Sequence, residues 1–187
     1  MKRLPRLQFL LIAGIAGMAS APQASMLRAM SLAELVTAAD QIVVAKVVSV
    51  NAAWDPAHRK ILSSIEVEIE ESWKGAANGF VTIVQPGGTV GEIEMTVHGM
   101  PKFTVGERSL LFLQGRAHFQ VVGMSQGERP LSWDANNQRW LVESPDVADV
   151  AEVGPNGKIR RARPAAKVAL DAFRNQVRNR VPMTNGQ

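Results

Sequence analysis

Between Ile61 and Glu70 the chain alternates strictly. Ile61, Ser63, Ile65, Val67 and Ile69 take one parity, and Leu62, Ser64, Glu66, Glu68 and Glu70 take the other. A period of two predicts a strand with one face in a core and one in water. Ile42 to Val50 is instead rich in β-branched residues on both parities, which predicts a strand buried on both faces. Just before it, Ser31-Leu-Ala-Glu34 has the spacing of a capping box, in which Ser caps a helix and Glu reaches back. With Leu32, Leu35 and Val36 as its apolar face, that helix runs from about Ser31 to Ala39 and stops at Asp40.

Four more strands follow from the same reasoning: Phe80 to Val84, Glu92 to Val97 (Ile93, Met95 and Val97 alternating), Ser109 to Leu113 and Phe119 to Val122. Lys74-Gly75, Asn78-Gly79, Gln114-Gly115 and Asn156-Gly157 read as turns, and Pro86-Gly87-Gly88 to Gly91 as a loop. Trp133 and Trp140 flank Asp134-Ala-Asn-Asn-Gln138, a hairpin pattern. Past Pro164, the residues Ala165, Ala169, Phe173 and Val177 recur every four positions, which predicts an amphipathic helix to about Arg180. Many short strands in succession, joined by short turns, predict an antiparallel sheet that closes into a small barrel. The class is mainly β, with a short N-terminal helix and a C-terminal helix.

The first 25 residues have a different character. Lys2, Arg3 and Arg6 precede an apolar run from Phe9 to Ala19, and small residues from Ala19 to Ser25 follow. That is the layout of a secretory signal peptide, cut between residues 21 and 25. The run is too short to span a bilayer, which takes about 20 apolar residues. The expected organisation is therefore a signal peptide over 1–24, a barrel domain with its leading helix over 26–145, and an irregular linker or hairpin over 146–163. The C-terminal helix covers 164–181, and 182–187 form a frayed tail.

Export changes the meaning of the charge. The formal net charge is +4, and three of its positive groups lie in the signal. From Lys158 onward there are eight Lys or Arg and one acid, whereas Leu7 to Gly157 holds ten bases and sixteen acids. A basic tail can bind nucleic acid or an anionic membrane. Here it carries one aromatic, Phe173, in a chain read as exported, so folding back onto the acidic barrel is the expectation and no nucleic acid is expected. The chain has no cysteine, which excludes thiol catalysis and cysteine-ligated zinc.

The remaining motifs carry little chemistry. Gly123-Met-Ser125-Gln-Gly127 matches the nucleophile elbow, but Gly127-Glu-Arg-Pro130 breaks the helix that the elbow needs. No histidine follows Ser125 in the chain, so a β-turn is expected there. Gly87-Gly88-Thr-Val-Gly91 matches neither the dinucleotide nor the phosphate loop. His58, His98 and His118 lack metal-ligand spacing, and the glutamates of the alternating strand read as a solvated face. No catalytic residue, metal site or cofactor is expected.

One set of features is shared with other chains. The Ser31-Leu-Ala-Glu-Leu35 helix, Ala39-Asp40 before a Val-rich strand and Trp73-Lys74-Gly75 after the alternating strand belong to it. So do Gly87-Gly88, Gly91, Phe103-x-x-Gly106-Glu107-x-x-Leu110-Leu-Phe-Leu113 and Val121-Val-Gly123. In these the stretch from Ser31 to Gly127 resembles a group of uncharacterised secreted bacterial proteins. More distantly, the order of helix, Ala-Asp, Val-rich strand and barrel resembles the netrin-like module of tissue inhibitors of metalloproteinases. That resemblance implies an OB-like barrel. Those inhibitors place an N-terminal cysteine on the protease zinc, and a cysteine-free chain cannot.

The expected function is an exported, non-catalytic module binding a protein or polymer partner. An enzyme of unrecognised type and a structural envelope component are the alternatives. OB-type barrels recognise ligands with a face and its rim loops, and loops on a rigid scaffold often carry function. The candidate partner-binding residues are Gly87, Gly88 and Gly91 in one loop, and His98, Met100 and Phe103 in the loop from His98 to Glu107. The competing reading is that Met100 and Phe103 plug the barrel end.

Overall fold

The computed structural model describes residues 27–148, 150–153, 156 and 158–181. The expected signal segment, the frayed tail and Gly157 lie outside the described residues. In chain order the elements are β1 (Leu27–Arg28), α1 (Leu32–Ala38), β2 (Gln41–Trp54), β3 (Ile61–Lys74), β4 (Phe80–Pro86), β5 (Gly88–Val90) and β6 (Ile93–Met95). There follow β7 (Arg108–Gly115), β8 (Phe119–Val121), a 3-10 turn (Met124–Gly127), β9 (Glu128–Asp134) and β10 (Arg139–Val142). The last are β11 (Val150–Val153), β12 (Ile159–Arg161), β13 (Val168–Ala169) and α2 (Leu170–Arg178).

Five strands close an OB-like barrel in the order β2-β3-β4-β8-β7, and β7 pairs back with β2. The expectation of an antiparallel sheet needs one correction. β8 lies parallel to β4, through Ile83 and Phe119. Parity requires it: a closed ring of five strands cannot alternate direction all the way round.

The two-faced composition of β2 now has its explanation. Val43, Ala45 and Val47 point into the barrel with Ile65, Val67, Ile83, Leu111, Leu113 and Phe119. Ile42 and Val44 point outward to a second core, where Leu35, Val36, Trp73, Leu110, Phe112, Phe173 and Val177 pack. So β2 and β7 are sandwiched between the barrel interior and a layer formed by α1, α2 and β10. β3 lies beyond that cover for most of its length and keeps the alternation read from its sequence, with Ile61, Ser63, Ile65 and Val67 buried and Glu66 and Glu68 in water.

Local chemistry fixes α1 against the barrel. Glu34 N–H donates to Ser31 Oγ at 3.2 Å, and Ser31 N–H donates to Glu34 Oε2 at 2.7 Å, which completes the capping box. At the other end Lys74 Nζ donates to the carbonyls of Val36 and Ala39, satisfying acceptors that a helix end leaves open. Gly115 N–H donates to Asp40 Oδ2 at 2.8 Å. The Ala39-Asp40 and Trp73-Lys74-Gly75 segments, distant in sequence, therefore meet at one corner of the fold. Gly106 and Glu107 bracket Val47, Gly106 N–H donating to its carbonyl and Glu107 O accepting from its N–H, each at 2.9 Å.

Several expected elements differ. The strand expected over Glu92 to Val97 shortens to β6 and lies outside the barrel, in a two-stranded hairpin with β5. Its alternation is real, but Ile93 is exposed. The loop expected over Pro86 to Gly91 supplies β5. β7 runs through Gln114-Gly115, and the turn falls at 116–118. The segment 146–163 agrees with the second of its two expected forms, since β11 and β12 pair antiparallel in a small sheet with β1. The C-terminal helix begins at Leu170 rather than Pro164, because Val168 and Ala169 pair with β10 first. Ala165 N–H donates to Ser144 Oγ at 3.1 Å, so the run after Pro164 lies along the barrel extension instead of coiling.

The basic tail does fold back. Arg174 pairs with Glu71 of β3, and Lys167 pairs with Glu143. Arg160, Arg161 and Arg163 remain exposed. Among the described residues no helix is long and apolar enough to cross a membrane.

Candidate functional site

At one end of the barrel the β5–β6 hairpin crosses over β2 and β3. The crossing is close: a Cβ at Gly88 would stand 2.5 Å from Ser63 Oγ and 2.8 Å from Ala52 Cβ, and Gly88 has φ +128°. Only glycine fits there. Ser63 Oγ donates to Gly87 O at 2.7 Å, and Gly87 N–H donates to Ile61 O at 2.9 Å. Ile61 N–H also meets Met95 Sδ at 3.3 Å, which ties β6 down. Gly91 turns the hairpin at its tip with φ +59°, the conformation that a two-residue turn with glycine first requires.

The loop between β6 and β7 returns beside this hairpin. Gln85 Nε2 donates to Pro101 O at 2.9 Å, and Ser125 N–H donates to Gly99 O at 2.8 Å. Phe103 reaches the barrel core, where it packs on the inner cluster. Between hairpin and loop lies a groove of about 340 Å³, lined among others by Gly87, Gly88, Met95, Met100, Pro101 and Phe103. A second groove of about 590 Å³ adjoins it, with Leu62, Val84, Val121 and Met124 in its wall. Gln85, Pro86 and Met100 line both. Gln85 Oε1 is buried at that junction without a hydrogen-bond partner among the described residues.

The six candidate residues thus divide. Gly87, Gly88, Met100 and Phe103 come together around one groove, while Gly91 sits at the hairpin tip and His98 lies exposed outside the lining. Phe103 has the contacts of a plug, and Met100 forms the shared rim. Met95 and Met124 were not singled out by sequence reasoning. Three methionines within thirty positions were the available signal, since methionine suits adaptable binding surfaces.

Two other residues that the sequence singles out, Ser125 and His58, make local contacts. Ser125 is buried in the 3-10 turn, and its Oγ donates to Asp146 O at 2.7 Å. The chain enters β9 directly after that turn, so no α-helix follows the serine. His58 stacks on Trp54 with ring centroids 6.1 Å apart. Among the described residues no three His, Asp or Glu gather as metal ligands.

One buried polar pair was not legible. Glu128, at the start of β9, is 7% exposed and accepts from Ser109 Oγ of β7. Burial pushes its carboxyl up to about 7, against the opposing effect of the Ser109 hydrogen bond, while Glu107 and Asp146 add repulsion and Arg129 offsets part of it. The two residues are 19 apart in sequence, and only the β7–β9 pairing brings them together. No family model matches this chain, and neither a curated protein nor a solved structure matches it.

Proposed function

We propose that the mature protein is an exported, non-catalytic β-barrel module that holds a protein partner in the methionine-rimmed grooves at the hairpin end. The observation that carries this reading is the joined pair of grooves around Met100. Their walls combine apolar side chains such as Leu62, Val84, Met95 and Phe103 with polar ones such as Gln85, Gln114 and Gln120, and they are built on strands and pinned loops, as preformed binding sites are. The occupant that fits is an extended apolar peptide segment with acidic flanks. Lys60 and Lys102 line the two grooves, with Glu94 the one carboxylate among the lining residues. Export follows from the signal-like first 25 residues. N-terminal sequencing of protein from the exported fraction should begin between Pro22 and Met26, and membrane-bound material with Met1 intact would contradict this.

The binding reading is tested by photo-crosslinking in the producing cell. A photoreactive residue at position 100 should give a discrete adduct, and one at Glu66, on the solvated face of β3, should not. Met124→Glu should abolish the adduct while the melting temperature holds. Phe103→Ala should instead lower the melting temperature, since Phe103 packs on the core. Identical adducts from positions 100 and 66, or none from either, would remove the grooves as the site. An envelope component without a specific ligand would give that result.

A further inference from the structure

A second groove system lies at the far end of β3, seven residues along the strand between Ser63 and Glu70, or about 23 Å. Here the β9–β10 register sets Trp133 opposite Trp140, with ring centroids 5.3 Å apart and planes at 64°. Trp133 is 52% exposed. Edge-to-face packing holds the ring in place while leaving indole surface in water. Beside the pair is a groove of about 390 Å³ whose floor includes Val44 and Leu131.

The polar wall of this groove is unusual in its balance. Arg108, Arg139 and Arg174 line it with Glu70, Glu71 and Asp171. Each guanidinium is engaged. Arg108 Nε donates to both oxygens of Glu70, at 2.8 and 3.0 Å, and its Cζ stands 5.3 Å from the Trp140 ring centroid. Arg174 pairs with Glu71 and Asp171, and Arg139 lies 3.7 Å from Asp134. Both bonds from Arg108 to Glu70 use Nε, so its terminal amino groups are donors not spent on that carboxylate.

We infer that this groove binds a neutral glycan, with one pyranose ring lying on Trp133. A pyranose has an apolar face of C–H groups and a rim of hydroxyls that both donate and accept. The electron-rich face of an indole complements the first. Planar guanidinium and carboxylate groups complement the second, because each presents two coplanar hydrogen-bonding positions. Mutual pairing fixes those groups before a ligand arrives, which lowers the ordering cost of binding. The charge balance selects the ligand class. A polyanion would meet three carboxylates and a polycation three guanidiniums, whereas a neutral sugar meets neither penalty. The volume falls within the range of about 300–1,000 Å³ usual for small-ligand sites.

The test uses the mature protein with purified cellohexaose and N-acetylchitohexaose, and a heparin hexasaccharide as the polyanion. In ¹⁵N-indole NMR spectra, the Trp133 and Trp140 signals should move saturably with at least one neutral hexasaccharide. That of Trp54 should stay in place, and heparin should have no effect. Trp133→Ala should weaken binding at least ten-fold with its melting temperature near that of the parent. Arg108→Gln should weaken it as well. Met100→Ala should leave it unchanged, so the outcome is independent of the peptide-binding reading. Static Trp133 and Trp140 signals at millimolar sugar, movement with heparin alone, or full binding by Trp133→Ala would each overturn the assignment. The indole signals of the unaltered protein decide the matter even if a variant fails to fold.

Discussion

Phe173→Ala should cost about 3–5 kcal/mol of folding stability, the usual range for truncating a buried phenylalanine. Phe173 is the anchor of α2. It packs in the outer core with Leu35, Val36, Trp73, Phe112, Val142 and Val177, and so joins both helices to the back of β2 and β7. Domains have a total stability of only about 5–15 kcal/mol, so the loss is a large share of the whole. For a chain of this size it corresponds to a fall of roughly 6–20 degrees in melting temperature. Tryptophan fluorescence reads it directly, since Trp73 lies in the same cluster. A change within about 0.5 kcal/mol, the ordinary value for a surface site, would mean that α2 does not cover the barrel. The basic tail would then be free of it.

The second large effect depends on pH. The unfolded chain ionises Glu128 from its ordinary value of 4.5, whereas the fold holds the proton to about 7. A folded-state value raised above the unfolded one contributes stability that is complete below pH 4.5 and lost as pH rises towards 7. The difference amounts to about 3 kcal/mol. Urea midpoints of the parent should therefore be higher at pH 5 than at pH 8. Glu128→Gln keeps the shape and removes the charge, so it should flatten that slope and exceed the parent at pH 8. Glu34, Asp134 and Glu143 do not confuse the comparison. Hydrogen bonds from Arg28, Asn137 and Lys167 respectively hold their carboxyls low, so their contributions are lost only in more acidic solution. Equal parental midpoints at the two pH values, or a variant weaker than the parent at pH 8, would refute the assignment of a buried neutral acid.

What was legible in the sequence and what was not follows from the range of each signal. The α1 cap, the two-faced β2 and the alternating β3 are written within ten or fifteen consecutive residues, and the structure has all three, although the double burial of β2 ends at Val47 and leaves Val48 and Val50 exposed. The Trp133–Trp140 hairpin is equally local. Its groove is not, because Glu70 comes from β3, Arg108 from β7 and Arg174 from α2. The same limit hid the Glu128–Ser109 pair. Local patterns also misplaced two elements. Alternation in Ile93, Met95 and Val97 marks an extended chain, but it cannot say which sheet the chain joins. The four-residue spacing from Ala165 continues through Val168 and Ala169, whose backbone is taken by the open edge of β10. Of the candidate binding residues, Met100 and the paired glycines Gly87 and Gly88 share a groove because β5 must cross β3 closely. Gly91 and His98 belong to the same stretches without sharing its walls.

The parity of the barrel has a consequence for how the chain assembles. β2 and β3 meet across a turn of six residues, 55–60, and exchange partners along nearly their full length. The ring is completed by a single parallel register pair, Ile83 with Phe119, and by the β2–β7 ladder that runs from Gln41 with Leu113 to Lys46 with Arg108. These joints close loops of many tens of residues, and chain entropy opposes them until most of the sheet is in place. Order should therefore spread outward from the long hairpin, and the β4–β8 seam should be the last part of the circle to close and the first to part.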